Sequence, residues 1–335
     1  MSVITNLYKR VHNQPYWLAS IVITALLVAL RQLGGLQSLE LLAFDYMTRL
    51  KPDQGPDPRL LVVEITEQDI RMQSEWPMSD QTVADLLGEL QSHNPRVIGL
   101  DIYRDIPQGE GKEALAEALQ NPNVIAIESL GISEDDNVPP PDVMAADQVG
   151  FNDFIIDSDG ILRRSLLFAA VGDERFYSFA LQLGLKYLEP EGHQLSVDQN
   201  ALTIGLADFL PLAPSSGGYD NIDPSSYQML LDYRSSSIVA RQVKLSEVLA
   251  GEVDPGWIED KVVLIGVTAP SKKDFFYTPY SSEKDNEHVM SGVLIHAQMV
   301  SQILSTVLEQ RPIFWYLPDS LEVGWIWVWS LAGGF

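Results

Sequence analysis

The sequence predicts a mixed α/β fold in which a mainly parallel sheet is flanked by helices and both ends of the chain enter a membrane. Two observations predict it. In the middle of the chain, β-branched runs alternate with amphipathic helical patterns, and such alternation is typical of parallel sheets. At both ends, long apolar runs carry almost no charge, although the apolar content of the whole chain, 46%, is ordinary for a globular protein.

The charge balance excludes one class of partner. The chain has 22 Lys and Arg against 46 Asp and Glu, a net charge of −24, and nearly all of the excess lies in the middle. Nucleic-acid affinity comes largely from basic side chains that neutralise phosphates, so we expect no nucleic acid partner. The chain has no cysteine, which excludes a disulfide framework, a thiolate nucleophile and a Cys-ligated zinc.

The N-terminal apolar run predicts a membrane anchor. Residues 15–36 are long enough to form a transmembrane helix. Lys9 and Arg10 precede this span, so the positive-inside rule places residues 1–14 in the cytoplasm and the middle of the chain outside. A cleaved signal peptide is the alternative, but no small-residue cleavage site follows promptly, and the sequence continues as an amphipathic helix.

The C-terminal end predicts a second membrane segment. Residues 313–335 hold four of the seven tryptophans, and tryptophan is enriched at membrane interfaces. The run is still apolar at Phe335, so we expect the chain to stop inside a membrane helix. Residues 37–311 then form one extracytoplasmic, periplasmic domain of a protein of the cell (inner) membrane, bracketed by transmembrane helices.

The first half of this domain has three predicted strands. The run LLVVEIT at 60–66 is β-branched and follows a turn-rich stretch, and near-continuous apolar runs follow at 96–103 and 123–129. Between them, segments 79–95 and 112–120 have apolar residues at helical spacing. Three strands that alternate with two helices indicate a doubly wound parallel sheet.

The second half is less regular. Two apolar arms around Asp159 and Gly160 predict a β-hairpin. Helices are predicted at 176–188 and 291–310, a weak strand at 201–204, and further strands at 229–234 and 261–267. The helix at 291–310 leads directly to the C-terminal apolar run, so it is a natural mechanical link to the membrane.

Several motifs recur in the order found in one family of bacterial receptor domains. They are FDYMTRL (44–50), VVEIT followed by WP (76–77), IGLDIY (98–103), D-x-D-G-x-x-R (157–163), KVVLIGVTAP (261–270), DFFYTP (274–279) and GVLIHA (292–297). Together they resemble the CHASE2 domain across about residues 40–310. The chain departs from the family at Gln298, where Asn is frequent, and at Glu67, where acidic pairs are common.

The resemblance implies a sensory input domain outside the cytoplasm. CHASE2 domains follow one membrane helix, usually precede several others, and couple to cytoplasmic cyclase or kinase output domains. A relay of a ligand or envelope signal to an output domain beyond this chain is therefore the expected function. We also expect a homodimer, with contacts along 36–50 and 291–310, because such receptors transmit relative motion between two copies.

The carboxyl ends of the strands are the expected ligand site. In open parallel sheets, ligands bind where loops converge beyond these ends. The candidate ligand-binding residues are Asp101, Tyr103, Thr268, Asp274, Thr278 and His296. A mouth lined by carboxylates favours a cationic or hydroxyl-rich small molecule. The alternative is that the two aspartates cap helices or fix loops, and that His296 is a core histidine.

Three motifs offer weak enzyme hypotheses. A G-x-G-x-x-A pattern at 109–114 lies too far from the preceding strand for a dinucleotide site, and GVTAPSK (266–272) lacks the residues of a phosphate loop. Asp157 and Asp159 resemble the start of a calcium loop without its later ligands. No two of the five histidines have the spacing of a helical metal site. We predict no catalytic residue, metal or cofactor.

Two other classes of function remain open. The domain could be a structural or dimerisation module of a membrane protein that binds no small ligand. It could also be an extracytoplasmic enzyme or nucleotide-binding domain that uses a carboxylate such as Asp101. The expected partners are the lipid membrane, a second copy of the chain and an unknown small-molecule or envelope ligand.

Overall fold

The computed structural model describes residues 16–73, 76–131, 136–172, 174–198, 201–215, 218–220, 222–223, 226–236, 238–281 and 289–332. The chain divides into two compact units. The terminal unit comprises residues 1–47, 212–224 and 314–335, and the sheet unit comprises residues 48–211 and 225–313. The predicted cytoplasmic segment, with Lys9 and Arg10, lies outside the described residues, as do His12 and His288.

The helices and strands follow each other in an α/β order. The strands are β1 (Leu60–Ile65), β2 (Val97–Asp101), β3 (Val124–Glu128), β4 (Val149–Phe151), β5 (Arg164–Val171), β6 (Glu174–Tyr177), β7 (Leu195–Val197), β8 (Leu202–Ile204), β9 (Ala207–Phe209), β10 (Ser226–Leu230), β11 (Arg241–Lys244), β12 (Val262–Val267), β13 (Phe275–Phe276) and β14 (Met290–Ser291). The helices are α1 (Tyr16–Gln32), α2 (Gln37–Leu50), α3 (Glu67–Gln73), α4 (Asp80–Gln91), α5 (Lys112–Leu119), α6 (Phe179–Leu188), α7 (Leu245–Leu249), α8 (Gly292–Leu308) and α9 (Asp319–Ala332).

A parallel sheet of six strands forms the centre of the sheet unit. Its order is β11-β1-β12-β2-β3-β4, and every neighbouring pair is parallel. The runs that predicted β1, β2 and β12 are almost fully buried, as expected for strands with both faces covered. The mixed α/β fold with a mainly parallel sheet is thus confirmed.

Helices cover both faces of this sheet. Leucines of α4 and α5 pack on one face with residues of α7, and α6 and α8 pack on the other. Strand residues alternate between the faces. In β2, Val97 and Gly99 face the layer of α6 and α8. Asp101 is two residues further along the strand, so its side chain points to the same layer.

The described residues of this unit also form three small antiparallel sheets. They have the orders β10-β5-β6, β7-β8-β9 and β13-β14. The predicted hairpin around Asp159 is wrong. The turn itself exists, with the N–H of Gly160 donating to the carbonyl of Asp157 at 2.8 Å, but its arms separate. β4 joins the parallel sheet, whereas β5 pairs with β6 and β10.

Helix α8 has a buried polar face that joins it to neighbouring backbone. The side chain of Gln298 accepts a hydrogen bond from the N–H of Arg234 at 2.8 Å and donates to the carbonyl of Ser235 at 2.7 Å. Gln302 makes the same kind of pair with the N–H of Asp232 and the carbonyl of Leu230. These bonds fix α8 in register with segment 230–235.

Helices α1 and α9 of the terminal unit are apolar. α1 packs against α9, and Arg31 at the end of α1 forms ion pairs with Glu40 at 3.0 Å and Glu322 at 2.6 Å. Within the described residues, no single helix has both the length and the hydropathy to cross a bilayer. In the part of the chain that the structure describes, one pair of helices, 18–32 and 37–50, meets both criteria when the two are taken together, and this pair bends by 86°.

Candidate functional site

A cavity of about 460 Å³ lies at the carboxyl edge of the parallel sheet. Its walls come from the end of β2, from the segments that follow β2, β4 and β12, and from the first two turns of α8. The residues that line it are Trp76, Asp101, Ile102, Tyr103, Ile127, Asn152, Asp153, Phe154, Ile156, Val267, Lys272, Asp274, Phe276, Gly292 and His296. Cavities of this size accommodate small organic molecules.

Two carboxylates share this cavity. Burial and the negative charge of Asp274 raise the pKa of Asp101 to about 7, and a hydrogen bond from Asn152 partly offsets this rise. Burial also raises the pKa of Asp274, opposed by a backbone hydrogen bond from Gly292. Among the described residues, neither carboxylate forms an ion pair with a basic side chain. The site therefore carries excess negative charge.

Asp274 lies against the N-terminus of α8. The N–H of Gly292 donates to the carbonyl of Asp274 at 3.3 Å. A Cβ added to Gly292 would lie 2.6 Å from Oδ2 of Asp274. Only glycine therefore allows this carboxylate to approach the first turn of the helix, where the helix dipole favours negative charge.

Asn152 connects Asp101 to Tyr103. Its amide donates to Oδ1 of Asp101 at 3.4 Å, and its carbonyl oxygen accepts a hydrogen bond of 2.8 Å from the hydroxyl of Tyr103. Tyr103 is 38% exposed, so its ring stays accessible from solvent. The next residue, Asp153, is fixed by the hydroxyl of Ser129 and the N–H of Leu130.

His296 lies between aromatic rings on the wall formed by α8. Its ring centroid is 4.6 Å from that of Phe154 and 5.1 Å from that of Phe179. The side chain is 2% exposed, and Nδ1 has no hydrogen-bond partner among the described residues. Burial lowers the pKa of His296 to about 3, so the ring is neutral at pH 7.

Apolar and cationic groups complete the walls. Phe154 also packs edge-on against Phe276, with centroids 4.9 Å apart. Nζ of Lys272 lies 4.7 Å from the ring centroid of Trp76, a cation–π contact. The cavity thus combines a carboxylate pair with aromatic and apolar surfaces.

Four of the six predicted site residues line this cavity: Asp101, Tyr103, Asp274 and His296. The other two lie elsewhere. The hydroxyl of Thr268 is engaged by the carboxyl of Glu64 on β1. Thr278 is fully buried, and its backbone and hydroxyl form a turn with Tyr280 and Ser281. We therefore leave both threonines out of the candidate site.

Sequence reasoning missed several lining residues. Asn152, Asp153 and Phe154 follow β4, a strand of three residues that its short apolar pattern did not predict. The signal that could have found them is the polar pair Asn152 and Asp153, which follows the apolar residues GF (150–151) as Asp101 follows the apolar residues of β2. Trp76 and Phe276 belong to the quoted motifs, but their aromatic roles depend on the tertiary contact.

The residues of the three enzyme-like motifs have structural roles. Gly111 has a φ of 95°, and a Cβ there would lie 2.3 Å from the backbone nitrogen of Gln81, so glycine is required for packing against α4. In GVTAPSK, the N–H of Ser271 donates to Glu67. The carboxylates of Asp157 and Asp159 bind the buried guanidinium of Arg163 at 2.7 Å each.

Comparison with known proteins gives one family. The model of the CHASE2 domain matches residues 22–335. The match covers almost the whole chain, including the apolar segments of the terminal unit. No curated protein and no solved structure matches the chain.

Proposed function

The chain belongs to the CHASE2 family of sensory domains, and from this premise we propose that it is the extracytoplasmic input domain of a transmembrane receptor. In this proposal the domain relays a ligand or envelope signal to a cytoplasmic output domain beyond the present chain. CHASE2 is a sensory rather than a catalytic family, and its members are typically extracytoplasmic parts of membrane receptors.

One observation carries the proposal: helix α8 lines the cavity with its first residues, and the chain continues from its last residue to the C-terminal apolar segment. Gly292 and His296, in the first two turns of α8, line the cavity. The helix has 17 residues and is therefore about 25 Å long. A ligand in the cavity would therefore contact the N-terminal end of α8, and the chain continues from the C-terminal end of this helix to α9.

The ligand-binding residues in this proposal are Asp101, Tyr103, Asp274 and His296. They come from three separate segments of the chain, and a ligand that contacts all of them would couple the edge of the sheet to α8. The raised pKa of Asp101, caused by burial and by the charge of Asp274, supports a binding role, because perturbed groups that converge in a cavity are typical of functional sites.

The proposed topology places residues 1–14 in the cytoplasm, residues 15–36 and 313–335 in the inner membrane, and residues 37–311 in the periplasm. The charge of Lys9 and Arg10 supports this orientation. The exposed apolar side chains of α1, such as Val22 and Leu26, support contact with lipid.

Accessibility labelling tests the proposal. Since the chain has no cysteine, a single introduced thiol is the only one that a membrane-impermeant maleimide can label. Leu206 is fully exposed in the sheet unit. We expect Leu206→Cys to be labelled in intact spheroplasts and Ser2→Cys only after lysis. The unsubstituted chain is the control. Labelling of Ser2→Cys alone in intact spheroplasts would contradict the proposal.

A further inference from the structure

We infer that the cavity binds a primary ammonium compound with an apolar, preferably aromatic, body. This inference rests on the proposed function, because it names the ligand class of the same site. The argument uses three features of the cavity: its carboxylate acceptors, its aromatic walls and its excess charge.

The acceptors of the cavity match an ammonium group. Asp101 receives one weak hydrogen bond, of 3.4 Å, from Asn152, and Asp274 interacts with the N–H of Gly292. A primary ammonium has three donors, enough to serve both carboxylates.

The aromatic walls favour an organic cation. Phe154 and Phe276 form an edge-to-face pair, and Phe154 also lies over His296. Ile156, which is 48% exposed, continues this apolar surface. Aromatic faces attract cations and bury apolar groups, so they would hold the body of the ligand beside its charged end.

The charge of the cavity disfavours anions and predicts a pH dependence. The other titratable or charged side chains that line it are Tyr103, Asp153, Lys272, Asp274 and His296. Lys272 forms no ion pair with Asp101 in the described chain, and its ammonium lies over Trp76 instead. A bound ammonium would supply the missing positive charge. Binding then requires Asp101 to be ionised and releases its proton at pH values near 7.

Three probes of similar shape and different charge test the inference: benzylamine, benzyl alcohol and benzoate. Each is added to the purified full chain in detergent, and binding is measured by saturation-transfer NMR and calorimetry. We expect benzylamine to bind at least tenfold more tightly than the other two. Its affinity should fall about tenfold from pH 8 to pH 6, because a carboxyl with a pKa near 7 is mostly ionised at pH 8 and mostly protonated at pH 6.

Variants identify the site. Asp101→Asn and Asp274→Asn should each weaken benzylamine binding at least tenfold, and Asp101→Asn should remove the pH dependence. Asp208→Asn, at an exposed carboxylate on β9, is the matched control and should bind as the unsubstituted chain does. Circular dichroism confirms that each variant is folded.

Three results would overturn the inference: no binding of benzylamine to the folded chain, equal binding of benzyl alcohol, or displacement of benzylamine by an equal concentration of calcium chloride. These outcomes leave the labelling result unchanged, so they separate the ligand class from the proposed receptor topology. Benzylamine binding with reversed labelling would support the ligand class and contradict the receptor proposal.

Discussion

Gly266 of the central strand β12 is in direct contact with Val293 of helix α8. A Cβ added to Gly266 would lie 2.5 Å from Cβ of Val293, closer than two carbon atoms can approach. Gly266 is paired with Glu64 on one side and Asp101 on the other. The close packing of α8 on the sheet therefore occurs beside the carboxylate that lines the cavity.

We expect Gly266→Ala to destabilise the sheet unit by about 1–3 kcal/mol, because α8 must move away from the strand to admit the methyl group. Unfolding in urea, followed by tryptophan fluorescence, measures this change. Gly88→Ala is the matched control. Gly88 lies in α4 with no neighbouring atom within 4 Å of the added Cβ, so alanine should stabilise the protein by up to about 1 kcal/mol. Equal stability of the two variants would contradict the contact.

Asp101→Asn should make the protein more stable at pH 8 than the unsubstituted chain. The pKa of Asp101 is raised to about 7 from an ordinary value of 3.8. The stability that this carboxyl contributes is therefore complete below about pH 4 and is lost as the pH rises through 7. The gain in the variant is on the order of 2–4 kcal/mol at pH 8 and disappears near pH 4. Urea midpoints of both proteins at pH 8 and pH 4 measure this gain. If the variant and the unsubstituted chain differ in stability by the same amount at both pH values, Asp101 does not titrate as a buried carboxyl.

His296→Gln should reduce the loss of stability that the protein undergoes as the pH falls from 7 to 4. Burial lowers the pKa of His296 to about 3, so the stability contributed by the neutral ring is present above pH 6.5 and is lost as the pH falls toward 3. In this range the unsubstituted chain should lose up to about 1.4 kcal/mol per pH unit more than the variant. Thermal unfolding from pH 7 to pH 4 tests this, and parallel profiles would show that the ring does not titrate as a buried group.

Cysteine cross-linking should show that the protein is a homodimer with contacts along α2. This helix exposes Leu39, Leu42, Tyr46, Met47 and Leu50, whereas α8 buries most of its side chains within its own chain. Leu39→Cys, Leu42→Cys and Tyr46→Cys should each form a disulfide-linked dimer in membranes. Thr48→Cys, at a buried position, is the control. The absence of cross-links at all three exposed positions would contradict the dimer contact.

The central strands could be predicted from sequence because they are buried on both faces. β1, β2 and β12 each have two neighbouring strands, so nearly every residue is apolar. The edge strands β4 and β11 were not predicted. β4 has three residues and β11 reads RQVK, so neither produces the apolar run by which a strand is recognised.

The candidate site could be predicted where its residues lie in a quoted motif or at the end of a central strand. Asp274 and His296 lie in such motifs, and Asp101 ends β2. Thr268 follows β12 in the same manner, but its hydroxyl is engaged by Glu64 on a neighbouring strand, a long-range contact that no local pattern reveals. Asn152 was missed because β4 was missed. The relation of Asp274 to Gly292 likewise depends on where β13 and β14 meet.

The glutamines of α8 restrict how this helix can move. A slide along its axis by one residue, about 1.5 Å, would misalign the bonds of Gln298 and Gln302 with segment 230–235. Buried amides without partners cost about 1–3 kcal/mol each. These four hydrogen bonds therefore oppose a displacement of α8 alone along its own axis. A tilt that carries segment 230–235 with the helix leaves all four bonds intact.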